Sequence, residues 1–215
     1  MLRLRLKGSA IFAAIATMAC ALPFGASAQP DAPSVVTAIW QTQNLDFDYY
    51  SNTVRYSCAG LRSKIGNILR AVGAHESVRV QIDCTAAAFA TRAQILVTMP
   101  IEATEENVNN ATDYDTRDQL VARLRKMELP SANDIQRFPA TWRTVTLSRD
   151  RQLDLSAGDC ELLRRMRDQI FPKLSVRVTK ASSSCSPGSA TRVKPTFEVM
   201  ALVPLEGIPV AYAPR

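Results

Sequence analysis

This chain carries one pattern twice, and a duplicated pattern restricts its architecture more than any other feature. Trp40 precedes Cys58 by 18 positions, and Trp142 precedes Cys160 by the same 18. In that register Leu45 matches Leu147, Leu61 matches Leu163, Arg62 matches Arg164 and Ile68 matches Ile170. Ser77-Val78-Arg79-Val80 returns unchanged as Ser175-Val176-Arg177-Val178. Cys84 with Ala90-Thr91-Arg92 is echoed by Cys185 with Ala190-Thr191-Arg192, and Pro100-Ile101-Glu102 by Pro204-Leu205-Glu206. A common order of landmarks with small insertions predicts two similar folding units rather than one irregular one.

Periodicity predicts the content of each unit. Leu45, Phe47 and Tyr49 alternate with Asp46 and Asp48, the period of a half-buried strand. Val54 and Tyr56 extend the alternation beyond a Ser51-Asn52 turn. Ser57 occupies an N-cap position, and Asp159 its equivalent in the second unit. The helix that follows places Leu61, Ile65, Ile68, Leu69 and Val72 on one face, with Arg62, Lys64 and Arg70 away from it, and ends at Gly73. The second helix is expected from Cys160 to about Phe171. Val78, Val80 and Ile82, then Ile95, Val97 and Met99, are two further strands, with Val176, Val178, Phe197, Val199 and Val203 as counterparts. Val145 with Leu147, and Leu153 with Leu155, are expected as the second unit's opening hairpin. The fold class expected is therefore α+β: two tandem ββαββ repeats, mainly antiparallel sheets with one helix packed per repeat, plus a linker helix.

The boundaries follow. Residues 1–28 have the build of a secretory signal: Arg3, Arg5 and Lys7, an apolar run of 12 residues from Ile11 to Leu22, and Ala26-Ser27-Ala28 for cleavage. Residues 29–35 are expected as a flexible N-terminus, 36–102 as repeat 1, 103–139 as a linker with a helix, 140–206 as repeat 2 and 207–215 as a tail. Within the linker, 102–115 reads as an acidic, Asn-rich loop. Thr116 to Met127 reads as a helix with Leu120, Leu124 and Met127 turned inward. No later run reaches the 18 or so apolar residues of a membrane span, so none is expected in the mature chain. Export places the protein in the periplasm or outside a bacterial cell.

Cleavage removes three basic and no acidic residues from totals of 26 and 20, so the net charge of +6 falls to +3. That is weak ground for a nucleic-acid partner, and none is expected. Cleavage also removes Cys20 and leaves four of the five cysteines, an even number in an oxidising compartment. Each repeat holds one cysteine at a helix head and one after a strand. A helix crossing its own sheet brings the returning strand's far end near its own start. The pairs expected are therefore Cys58–Cys84 and Cys160–Cys185, each worth about 3–4 kcal/mol in the chain-entropy account.

Catalytic signals are thin. The one histidine, His75, sits in a turn, and no Gly-x-Ser-x-Gly elbow accompanies it. There is no Cys-x-x-Cys redox motif, no phosphate loop and no dinucleotide fingerprint. Paired cysteines and a single histidine leave few soft ligands, so neither metal nor cofactor is expected. Asp46, Asp48, Glu105 and Glu106 read as solvated charges, with a carboxylate pair as the enzymatic alternative. Asn110-Ala111-Thr112 matches a glycosylation sequon to which no function is attached in a bacterial protein. Basic clusters remain: Arg123, Arg125 and Lys126 on the linker helix, and Arg164, Arg165 and Arg167 on the second repeat's helix, as contacts for an anionic partner.

Phe47, Tyr49, Tyr56-Ser57-Cys58-Ala59-Gly60-Leu61, Gly73-Ala74 and Cys84 resemble an uncharacterised family of secreted proteobacterial proteins. The resemblance covers about residues 40–85, and Ala59 stands where that family carries an acidic residue. It implies export from a bacterial cell and no activity. The function expected is that of an exported, disulfide-stabilised, non-catalytic protein binding a partner protein or an anionic envelope component. A carboxylate hydrolase with a groove between the repeats, and a structural accessory subunit of an envelope assembly, are the alternatives.

Overall fold

The computed structural model describes residues 34–50, 54–83, 90–181 and 195–205, all within one unit, Pro33–Arg215. The expected signal, Cys84, Cys185, the Ala190-Thr191-Arg192 echo and the tail lie outside the described residues. The elements run β1 (Val35–Tyr50), α1 (Cys58–Ala71), β2 (Arg79–Asp83), β3 (Ala90–Glu102), α2 (Glu105–Thr112), α3 (Thr116–Arg125), β4 (Phe138–Thr146), α4 (Cys160–Gln169), β5 (Val176–Ala181) and β6 (Phe197–Pro204).

The class is α+β, and the order strand, helix, strand, strand occurs twice. Each unit is thus βαββ and not the expected ββαββ. Val54 to Ser57 forms no strand, and 147–159 is built from short 3-10 turns. The reason is local. Asp150 accepts from the Gln152 N–H at 2.8 Å, and Asp154 takes a left-handed φ of 41°, both turn-forming conformations. The leucines that suggested a strand are buried all the same, because these turns press Leu147, Leu153 and Leu155 into the core.

Among the described residues, six strands form one antiparallel sheet in the order β2-β3-β1-β4-β6-β5. The order within the first half is reversed in the second, and the opening strands meet at the seam. That seam is short: only Val35–Ala38 pairs with Phe138–Thr141, with Thr37 opposite Pro139. Along its remaining length β1 pairs with β3 and lacks β4. There the Gln169 side-chain amide, at the end of α4, donates to the Asp48 carbonyl at 2.9 Å and accepts from its N–H at 3.0 Å. It closes part of an edge that β4 leaves open.

Alternation along β1 points Leu45, Phe47 and Tyr49 into the core and leaves Asp46 and Asp48 exposed. Ser57 caps α1 by accepting from Gly60 N–H at 3.1 Å. Leu61, Ile65, Ile68 and Leu69 of α1 join Leu162, Leu163 and Met166 of α4 in one cluster with both halves of the sheet. Each such side chain contributes about 1.5–3 kcal/mol by leaving water. At Gly73, with φ +97°, the chain leaves α1 against β6; a Cβ there would lie 2.8 Å from the Leu202 carbonyl oxygen.

The two halves differ in register. Trp40 faces Pro100, whereas Trp142 faces Leu202, two residues short of Pro204. The β2–β3 and β5–β6 hairpins keep the landmark register, with Val80 opposite Ile95 and Val178 opposite Val199. A two-residue slip preserves which face each side chain occupies, so the core tolerates it.

The linker departs most from expectation. The segment expected as a loop contains α2, capped by Thr104, with Glu105 and Glu106 in the first turn where the helix dipole favours them. Its Val108 and Ala111 pack on Ile39 and Ile101. In α3 the expected inward residues face outward: Leu120 is 52% exposed, Leu124 83% and Met127 62%, and the buried residue is Ala122. The period of a helix identifies an apolar side but not which side meets the protein. β4 begins at Phe138, within the stretch expected as linker.

Candidate functional site

Three places bring polar or exposed groups together. The first is α3. Asp115 caps it by accepting from the Asp118 N–H at 2.7 Å, and Lys126, at φ 54°, ends it. Leu120 and Leu124, four apart, make an outward ridge that Met127 extends. Arg117 and Arg123 lie three residues before and after Leu120, so helical spacing sets one on each flank of the ridge. Arg123, Arg125 and Lys126 are all exposed. Acidic residues of the helix and its cap, Asp115 and Asp118, lie at its N-terminal end, which leaves the C-terminal half both basic and apolar.

The second is a groove of about 720 Å³ between α1 and β2, lined by Arg62, Gly66, Asn67 and Arg70 of the helix and by Val78 to Ile82. Arg62, Arg70 and Arg79 are exposed, and Arg70 bonds Asn67 Oδ1 at 3.0 Å.

The third joins the halves. Asp159, with no exposed surface, receives the Tyr56 hydroxyl on Oδ1. Its Oδ2 takes Lys64 Nζ at 3.0 Å, the Ser156 N–H at 2.6 Å and the Ser156 hydroxyl at 2.9 Å. Lys64 also donates to the Asp154 carbonyl at 2.9 Å. Burial alone pushes the Asp159 carboxyl upward, but bonds from Tyr56, Ser156 and Lys64 outweigh it and hold it below the usual carboxylate value. Burial, then the bond to Asp159, raises the Tyr56 hydroxyl far above its ordinary value. The arrangement holds a proton on Tyr56 and charge on Asp159, with Lys64 as its ion-pair partner, a structural clamp with each group bonded.

The sequence placed Asp159 as the N-cap of α4 and Lys64 on an outer face. The structure keeps Asp159 at the N-cap position of α4 but spends its side chain on Ser156, Tyr56 and Lys64 instead of a cap bond, and it corrects Lys64, which turns inward to Asp159. The clamp spans 103 positions from Tyr56 and 95 from Lys64, a separation at which spacing carries no signal. The six cations expected as anionic-partner contacts lie on two helices. Arg123, Arg125 and Lys126 are exposed, whereas Arg164, Arg165 and Arg167 of α4 are half-buried and Arg167 bonds Asp168 at 2.7 Å.

A groove of about 370 Å³ contains residues of both halves, but its lining holds one carboxylate, Glu102, which accepts from Trp142 Nε1 at 2.8 Å. Asp48 is engaged by Arg92 at 3.1 Å. His75, in a turn as expected, packs edge-on against Trp40 and accepts from the Ser77 N–H at 3.2 Å. Among the described residues no group of three or more His, Cys, Asp or Glu is placed to hold a metal ion, and no helix is long and apolar enough to cross a membrane. Tyr56, Ser57 and Leu61 have physical duties here, in the clamp, as a cap and in the core. No known family, curated protein or solved structure matches the chain.

Proposed function

We propose that this is an exported, disulfide-stabilised, non-catalytic protein of a bacterial envelope, and that it binds an anionic phospholipid surface through α3. The observation that carries this reading is the exposed ridge of Leu120, Leu124 and Met127 beside Arg117, Arg123, Arg125 and Lys126. The ridge and its neighbours offer the two contacts an anionic lipid surface takes, leucines for the acyl boundary and arginines for the phosphates.

Vesicle co-sedimentation tests it. The chain lacking residues 1–28 should sediment with phosphatidylglycerol vesicles and stay in solution with phosphatidylcholine vesicles. Leu120→Glu with Leu124→Glu should abolish sedimentation while leaving the circular dichroism unchanged, because neither side chain supports the core. Equal binding to both lipids, or to neither, would reject the reading. So would a dimer that these substitutions dissolve.

The pairs proposed are Cys58–Cys84 and Cys160–Cys185, which also makes the two halves copies of one stapled unit. In support, Ala59 beside Cys58 at the head of α1 lines the same groove as Ile82, two residues before Cys84 in sequence. Peptide mapping without reductant should recover Cys58 linked to Cys84, and a Cys58–Cys160 peptide would overturn the assignment.

A further inference from the structure

We infer that the groove shared by the two halves is a binding site for a short acidic saccharide, about one or two uronic-acid rings long. Its volume of about 370 Å³ lies at the small end of the range for ligand sites. β1, the end of β3, α2, β4 and residues 172–177 all contribute to its lining. The tryptophans at matching places in the sequence are used differently. Trp40 packs against His75, with ring centroids 5.3 Å apart, and against Phe138 at 4.9 Å. Trp142 instead borders the groove, bonded to Glu102 and stacked with Arg177.

The lining presents both donors and acceptors, already set in place by bonds among themselves. Gln43 Nε2 donates to Gln41 Oε1 at 2.7 Å, which holds the two amides side by side. The pair then has the Gln41 N–H groups to give and the Gln43 carbonyl to receive. Asn107 Nδ2 donates to the Glu102 carbonyl at 2.8 Å, and its Oδ1 can accept from a ligand. Glu102 Oε1 takes the Trp142 Nε1–H at 2.8 Å, so Oε2 is a further acceptor. A sugar hydroxyl both gives and receives, so neighbouring hydroxyls of one ring suit such a mixture better than a ligand of one polarity. Charge selects among sugars. Two cations, Lys173 and Arg177, line the groove against one carboxylate, Glu102, and both cations are exposed. The Arg177 guanidinium carbon lies 4.7 Å from the Trp142 ring centroid, a stacked position that orients its planar fork. A carboxylate meets such a fork with two parallel bonds. A uronic acid joins the two requirements in one ring, hydroxyls for the amides and a carboxylate for the cations.

Isothermal titration calorimetry of the chain lacking residues 1–28 with digalacturonate tests the site. Saturable binding that weakens with salt is expected. Digalactose of the same linkage has the hydroxyls without the carboxylates, and adipate has two carboxylates without hydroxyls. Each should bind at least about tenfold more weakly. Lys173→Gln and Arg177→Gln should each weaken digalacturonate by about tenfold, and Gln43→Met, which keeps the length but loses the carbonyl, by about two- to tenfold. Arg79→Gln, the same loss of charge outside this groove, should leave binding unchanged. The Leu120→Glu, Leu124→Glu variant should retain it, so this site and the α3 surface succeed or fail separately. Absence of saturation at millimolar digalacturonate overturns the inference. So does equal binding of digalactose or adipate, indifference to both Lys173→Gln and Arg177→Gln, or a loss with Arg79→Gln as large as with Arg177→Gln.

Discussion

Replacing Asp159 by alanine should lower the unfolding free energy by about 3–5 kcal/mol at neutral pH, because Lys64 and Tyr56 lose the acceptor that justifies their burial. Stabilities of small domains are about 5–15 kcal/mol, so the variant should unfold at markedly lower urea. Asp159→Asn, which keeps an acceptor but loses the charge, should cost less. The pH dependence has a definite sign. Asp159 ionises below the usual carboxylate value when folded. Its contribution is therefore complete above the unfolded-state value of about 3.9 and disappears as pH falls through the lower folded value. The gap between wild type and Asp159→Asn should close in that acid range. Tyr56 gives the alkaline counterpart: raised when folded, it contributes in full below about pH 10 and loses that contribution above it. Urea titrations across pH check both arms, and a gap that persists undiminished at pH 2 would contradict the clamp.

Gly73→Ala is the second large effect. With φ at +97°, a Cβ is both conformationally strained and set 2.8 Å from the Leu202 carbonyl oxygen and 3.0 Å from Val203 Cγ1. A backbone atom cannot turn aside as a flexible side chain can. The expected loss is about 2–4 kcal/mol, from strain and overpacking together. Gly66 is the control. A Cβ there meets only the Arg70 guanidinium, at 3.5 Å, in a helix interior. Gly66→Ala should stabilise by about 0.5–1 kcal/mol. Thermal melts of the two variants should move in opposite directions.

What the sequence made legible was whatever short-range patterning decides. Ser57, Leu61 and Ile65 announce α1; the alternation of Leu45, Phe47 and Tyr49 announces β1; and Val78 and Val80 announce β2. Where a pattern has two solutions the sequence was silent. Leu153 and Leu155 suit a strand or a buried turn, and Asp154 in a left-handed conformation decided for the turn. Leu120 and Leu124 mark an apolar side that the chain leaves wet. Thr104 with Glu105 and Glu106 did carry the signature of a helix start, outweighed in the reading by the asparagines that follow. The clamp could not be read at all, since Asp159 is an equally good cap in sequence and its partners lie a hundred residues away. Of the candidate surfaces, the α3 cations were visible in the sequence. The grooves were not, because they depend on how separate elements pack.

The four-pair seam also governs the order in which the structure can assemble. Ala38 finds Phe138 across a hundred positions, so each half must shape its own hairpin before the halves can meet. Long-range closure of this kind is slow compared with local pairing. During synthesis both partners of the β1–β3 pairing leave the ribosome before β4 is made, so in the first half β1 can find β3 while its other margin has no mate. The interval before β4 and Gln169 arrive is when this chain is most open to wrong associations.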